Sequence, residues 1–266
     1  MPFVCVANLN IPETIFLSVV QGLTEFLPVS SSGHLVLFQK LLGFKEPPVF
    51  FDILVHVGTL TAVFVFFHQR IIKIIQEIIS GQLKFLKVLI LASIPAGLVG
   101  FLIESKIEAI FNSLFLLGLS FLLNSAILFS IKNVAPGITQ SKDLNPKKSL
   151  FIGALQALAI LPGVSRSGST ISAGLKAGLR KDDAFEFSFL LAIPAILGAL
   201  LLKAKDFLGK DSLNGQFSLL GFTIAAITGF ISLKILADFV KKGKLYLFAP
   251  YTLLLGILSI FLSFFL

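Results

Sequence analysis

The stretch Gln21-Gly22-Leu23-Thr24-Glu25-Phe26-Leu27-Pro28-Val29-Ser30-Ser31-Ser32-Gly33-His34 cuts a long apolar run, Ile11 to Leu42, at its middle. Pro28 lacks an N–H and disfavours helix in the residue before it, while three serines and Gly33 favour a turn. Such a break leaves backbone groups that lipid cannot satisfy, so it is tolerated only where protein encloses it or a wet cavity bathes it. A second run, Leu150 to Leu179, is cut in the same way by Pro162-Gly163-Val164-Ser165-Arg166-Ser167-Gly168-Ser169-Thr170. Both read as re-entrant helix-loop-helix hairpins.

The rest of the chain fixes the solvent. Of 266 residues, 56% are hydrophobic and 14% charged, with a mean hydropathy of +0.96. A water-soluble domain carries about a quarter charged residues and breaks its apolar runs into stripes. Here runs of span length occur at Val49 to Phe67, Phe85 to Ile103, Phe111 to Ile131, Ala184 to Leu202, Phe217 to Leu236 and Leu245 to Leu266, each near the ~20 residues that cross hydrocarbon. The expectation is an all-α integral membrane protein with six transmembrane helices and two re-entrant hairpins, forming a single polytopic domain over residues 1–266.

Net charge is +8, but the basic residues sit in connectors rather than on one face, which argues for the positive-inside rule and anionic lipid, and against nucleic acid. Arg70, Lys73, Lys84 and Lys87, then Lys132, Lys142, Lys147 and Lys148, then Lys234, Lys241, Lys242 and Lys244 mark cytoplasmic connectors. Lys106 between Glu104 and Glu108, and Lys203, Lys205 and Lys210 with Asp206 and Asp211, fit the outside. No basic n-region or small-residue cleavage site precedes the first apolar stretch, so no removable signal peptide is expected. The single cysteine, Cys5, reads as a small apolar residue, and the 29 Phe against no Trp and two Tyr carry no functional signal by themselves.

The two broken stretches are copies of one element. Gln21 and Gln156 lie 156 − 21 = 135 residues apart, and the same offset places Val29, Ser30, Ser32 and Gly33 on Val164, Ser165, Ser167 and Gly168. The spans that follow repeat as well, giving halves of about 11–131 and 150–266 joined by a linker at Ser141 to Lys148. With three spans in each half, the second copy enters the membrane with opposite polarity, and the broken elements of such an inverted-topology repeat meet near the midplane.

The differences between the copies carry the chemistry. Gln21 and Glu25, four apart, share a helix face. Glu25 aligns with Ile160 and His34 with Ser169, so the first copy alone keeps an acid/base pair, while Arg166 replaces Ser31 and gives the second copy a forked cation matched to phosphate oxygens. Hydroxyls and loop N–H groups at a helix start add an anion site. Together these are the parts of a phosphoryl-transfer site. Competing readings are close helix packing for the Ser and Gly residues, a structural ion pair for Glu25 and Arg166, and a satisfied structural imidazole for His34. His56 and His68 read as packing or interface residues, and Asp52 and Glu186 as interface anchors or supporting groups. Ionisable residues at membrane depth default to function.

These motifs resemble those of the undecaprenyl-diphosphate phosphatase family, the bacitracin-resistance phosphatases of bacterial envelopes. The resemblance runs over the whole chain and rests on [E/Q]xxxE followed by PVSSxGH, at Gln21 to Glu25 and Pro28 to His34, and on PGxSRSxxT at Pro162 to Thr170. It implies removal of the terminal phosphate from the C55 lipid diphosphate in the bacterial inner membrane, regenerating the carrier for peptidoglycan synthesis. The implied catalytic set is Glu25, Ser31, His34, Ser165, Arg166 and Thr170, with Gln21, Ser30, Ser167 and Gly168 binding substrate. It also implies a divalent cation, Mg or Ca, at Glu25 and Gln21, although Gln21 stands where many members have Glu. Ser31, His34 and water remain alternative attacking groups. The polyprenyl diphosphate and membrane lipid are the partners implied, and a homo-oligomer is allowed. Inverted repeats with broken helices also describe carriers, so the alternative function is transport or flipping of an anionic lipid.

Overall fold

A computed structural model of the chain describes residues 9–44, 48–111, 113–135, 137–203 and 215–265, with the backbone alone for residues 49, 104–111, 202–203 and 215–216. Cys5, Lys205, Asp206, Lys210 and Asp211, and the side chains of Glu104, Lys106, Glu108 and Lys203, therefore lie outside the described residues.

The first broken stretch folds as α1 (Ile11–Phe26) and α2 (Ser31–Leu41). Asn10 starts α1 with a capping box: its side chain accepts the Glu13 amide while the Glu13 carboxylate accepts the Asn10 amide. The second stretch folds as α7 (Pro146–Leu158) and α8 (Arg166–Lys176), with Asn145 capping α7. The starts differ by 146 − 11 = 135 and 166 − 31 = 135 residues, so the offset seen in the motifs is also the offset of the helices.

Between them lie α3 (Val49–Phe66), α4 (His68–Ile79), α5 (Lys84–Phe111) and α6 (Leu114–Phe129); after them come α9 (Lys181–Lys203), α10 (Gly215–Lys241) and α11 (Ala249–Leu262). The starts of α6 and α11 again differ by 249 − 114 = 135 residues. Among the described residues, four helices are long and apolar enough to cross a membrane: Lys84–Ile103, Lys181–Leu201, Phe217–Lys241 and Leu245–Leu262. The apolar part of α3 and the following α4 are bent by 74° at one break, and α6 is a shorter apolar helix. The bend falls where the sequence changes character. No residue of α4 is buried, yet it alternates isoleucines with Arg70, Lys73 and Glu77, as an interfacial helix does. Arg70 ties it back to the body through Glu186 at 2.7 Å and by stacking over the Phe85 ring, and it also pairs with Glu77 of α4 itself at 3.3 Å. Glu186 is thus an anchor between α4 and α9.

The halves interleave rather than sit side by side. Helix α1 packs on α10, its counterpart α7 packs on α5, and α6 pairs with α11. A share of the many phenylalanines fills the junction: Phe26, Phe67 and Phe185 all meet Phe189, with ring centroids 4.9–5.9 Å apart. This apolar floor lies directly beneath the two breaks.

Candidate active site

Each break ends in a serine that caps the helix after it. Ser30 Oγ accepts the Gly33 amide at 3.3 Å, and Ser165 Oγ accepts the Gly168 amide at 3.1 Å. The two loops also hold each other: Ser30 Oγ accepts the Gly163 amide at 3.0 Å, and Ser167 Oγ donates to the Phe26 carbonyl at 2.8 Å. Asn124 of α6 bridges both, donating to the Pro28 carbonyl and accepting the Ser165 amide, each at 2.9 Å.

This crossing is possible because side chains are missing at the contact. A Cβ on Gly33 would stand 2.6 Å from Phe121 and 2.9 Å from the Gly163 backbone, and Gly163 itself has φ +99°. Ser30, at φ 69°, is the one non-glycine residue in the left-handed region among the described residues. Such a conformation costs of order 1 kcal/mol or more and persists where surroundings over-determine it; here the cap, Gly33 and Gly163 do so.

The N-termini of α2 and α8 are thereby brought together, both presenting first-turn N–H groups that a helix cannot use itself. Between them lies the charged cluster. Glu25 Oε1 accepts Arg166 Nη2 at 3.0 Å. Glu25 Oε2 accepts the Ser31 hydroxyl at 2.5 Å and Gln21 Nε2 at 3.0 Å. Arg166 stacks over Phe189, 5.6 Å from the ring centre. Both ionic side chains are well buried, at 8% exposure for Glu25 and 14% for Arg166. A guanidinium in that setting needs its donors filled, yet Nη1 is buried with no partner, and so is Gln21 Oε1. Two stranded polar atoms flank one ion pair, which is the state expected of a site shaped for an anion and its counter-charge.

The residues expected at the site divide into groups. Glu25, Arg166, Ser31 and Gln21 meet directly. Ser30, Ser165, Ser167 and Gly168 build the crossing. Thr170 turns away, its hydroxyl donating to the Arg166 carbonyl at 2.8 Å and accepting the Ser188 hydroxyl at 2.6 Å; it steadies the turn that carries the guanidinium. His34 does not reach Glu25. Its Nδ1 bonds the Ser30 carbonyl and its Nε2 the Tyr251 hydroxyl, both at 2.7 Å, and Phe121 and Tyr251 cover the ring. The imidazole that faces the carboxylate is His56, with Nε2 3.7 Å from Glu25 Oε2. Asn124, Tyr251 and His56 carry no motif of their own; the available signal was a polar or ionisable group inside an apolar run.

Interleaved apolar helices, with a buried Arg–Glu pair where two broken elements meet, mark a multi-pass membrane protein. The chain belongs to the family described as bacitracin resistance protein BacA, whose model matches residues 14–258. It is 39% identical over 274 residues to an undecaprenyl-diphosphatase of Methanosphaera stadtmanae, covering 96% of this chain and 99% of that one. Undecaprenyl-diphosphatases of Methanobrevibacter smithii and Carboxydothermus hydrogenoformans are each 40% identical, over 94% of this chain and 96% of theirs.

Proposed function

We propose that the chain hydrolyses undecaprenyl diphosphate to undecaprenyl phosphate and phosphate, recycling the lipid carrier used in cell-wall synthesis. The observation that carries this reading is the Glu25–Arg166 pair at 3.0 Å, joining the two breaks and flanked by unused Arg166 Nη1. The undecaprenyl-diphosphatase relatives cover nearly the whole chain, which supports the same substrate.

In this mechanism the diphosphate lies across the paired helix N-termini, where Arg166 Nη1 and first-turn N–H groups meet its oxygens. The Ser31 hydroxyl already donates to Glu25, so Glu25 takes its proton as Oγ attacks the terminal phosphorus. Undecaprenyl phosphate leaves as the P–O bond to it breaks. Water then attacks the seryl phosphate, its proton leaving with the released phosphate, while Glu25 returns the first proton to Ser31 Oγ as the P–O bond to serine breaks. His34, with both ring nitrogens engaged, holds the Ser30 turn in shape.

A divalent cation, Mg or Ca, fits beside this arrangement. Among the described residues no three His, Cys, Asp or Glu side chains cluster, so an ion would draw on Glu25, the stranded Gln21 Oε1 and the substrate's own oxygens, as phosphate-bound Mg²⁺ does. It would offset charge on the diphosphate.

The fold reading that accompanies this function is six spans, with α1–α2 and α7–α8 as re-entrant hairpins of an inverted-topology repeat, in the bacterial inner membrane. Its support is the shared 135-residue offset of three helix starts and the positive connectors. The deciding assay is phosphate release from C55 diphosphate by purified protein in detergent, with and without chelator. Release there marks an enzyme; uptake into vesicles without release marks a carrier and overturns the proposal.

A further inference from the structure

His56 projects from α3, outside both motifs, yet stands nearest the carboxylate after Ser31, Gln21 and Arg166. Its Nδ1 lies 2.6 Å from the Asp52 carbonyl, one turn back. A carbonyl only accepts, so Nδ1 carries the hydrogen and Nε2 presents a lone pair. That lone pair faces Glu25 Oε2 at 3.7 Å. Two electron-rich atoms 3.7 Å apart are placed to share one cation, and a metal ion is one that both can ligate directly. Imidazoles that bind metals almost always donate their other N–H to a carbonyl or carboxylate in this way, which fixes tautomer and ring orientation.

Two further observations bear on the ligands of such an ion. Gln21 Oε1 is fully buried and unpartnered, while its amide nitrogen faces the carboxylate at 3.0 Å. Amide oxygen and nitrogen are interchangeable in shape, so with a cation bound the amide turns over: its oxygen comes to the carboxylate's side in place of the hydrogen bond to Glu25 Oε2, and its nitrogen takes the oxygen's present position. The spacing also suits: two donors each about 2.1 Å from one ion are separated by at most about 4.2 Å. Asp52, which holds the ring, is itself bonded by Gln39 at 2.8 Å, and His56 is the most open member of the cluster, at 29% exposure against 8% for Glu25. The ion position is therefore reached from the His56 side.

We infer that His56 Nε2, with Glu25 and the oxygen of Gln21, forms a mixed nitrogen and oxygen cation site. This deepens the proposed function and rests on its reading that a cation works at Glu25. The nitrogen ligand has a chemical consequence. All-oxygen sites suit Mg²⁺ and Ca²⁺, whereas an imidazole adds affinity for Mn²⁺ and its later neighbours in the transition series, so this chain should hold Mn²⁺ more tightly than Mg²⁺.

The test is pulsed electron paramagnetic resonance on the full-length protein in detergent, with Mn²⁺ alone as probe. Directly bound imidazole gives nitrogen modulation of the Mn²⁺ signal. The expected result is modulation in the unaltered protein, its loss in His56→Gln and in His56→Asn with Mn²⁺ affinity at least about tenfold weaker, and its persistence in His34→Ala. Mn²⁺ bound at Glu25 without nitrogen modulation, or with modulation that survives both His56 substitutions, overturns the His56 assignment and leaves the cation reading standing. No Mn²⁺ or Mg²⁺ binding, together with chelator-resistant phosphate release, overturns both.

Discussion

The two breaks make an internal comparison. Both place a serine before the helix, and both caps reach the glycine three residues on. Yet Ser30 sits at φ 69° and Ser165 at φ −78°; the residue that must tolerate left-handed geometry in the second loop is Gly163, two positions earlier. The loops are copies in sequence but lock together asymmetrically. Their charges differ in the same spirit, with a carboxylate supplied by one side and a guanidinium by the other. The two loops share one sequence pattern, and a few differing side chains give their crossing two unlike ends.

The comparison breaks most sharply if its charges are removed. Arg166→Ala is expected to lower phosphate release about 10³-fold, the scale of losing a transition-state charge clamp, and to destabilise by about 3 kcal/mol through an unpaired buried carboxylate. The double change Glu25→Gln with Arg166→Met should restore most of the thermal stability and none of the turnover. Turnover retained by the double variant would make the pair a structural one. Next in size, Gly33→Ala is expected to cost about 2–3 kcal/mol from overpacking, because backbone and Phe121 block the added carbon; Gly168→Ala, where the nearest atom is 3.1 Å away, should cost under half of that in the same melting measurement. Smaller again, Ser30→Gly should be milder than Ser165→Gly, since it relieves left-handed strain while losing its cap, with each effect about 1 kcal/mol.

The smallest effect should come from a pair far from the breaks. Lys84 donates to Asp143 at 2.6 Å and holds that exposed carboxyl below the usual carboxylate range. A lowered value means the contact helps above the ordinary pKa and is lost as acid protonates it. Solvent screens so exposed a pair, and Asp143→Asn should leave the neutral-pH melting temperature unchanged within error.

Much of the scaffold was legible in the sequence because its signals are local. Pro28, Gly163 and the serines mark the breaks without reference to anything distant, and the 135-residue offset of the motifs reappears in the starts of α1 and α7 and of α2 and α8 because their capping residues, Asn10 and Asn145, Ser30 and Ser165, stand at that same offset. The Glu25–Arg166 meeting was also legible, since two broken stretches of one pattern were expected to meet. What sequence did not give was which imidazole joins them. His34 carries a motif position, but its ring is consumed by Ser30 and Tyr251, a partner 217 residues away. His56 had only its place in an apolar run, and its approach to Glu25 depends on how α3 lies beside α1. Asn124 was invisible for the same reason: its role is to bridge two loops that are distant in the chain from it and from each other.

The interleaving of α1 with α10 and of α7 with α5 has a consequence for biosynthesis. The ribosome delivers Glu25 well before Arg166, 141 residues later, which at roughly 5–20 residues per second is a wait of about seven to thirty seconds. Throughout that interval the nascent chain carries an acidic residue whose permanent companion does not yet exist. The newly inserted first half must keep this carboxyl neutral, wet or sheltered by the insertion machinery, and release from that shelter can be timed by the emergence of α8.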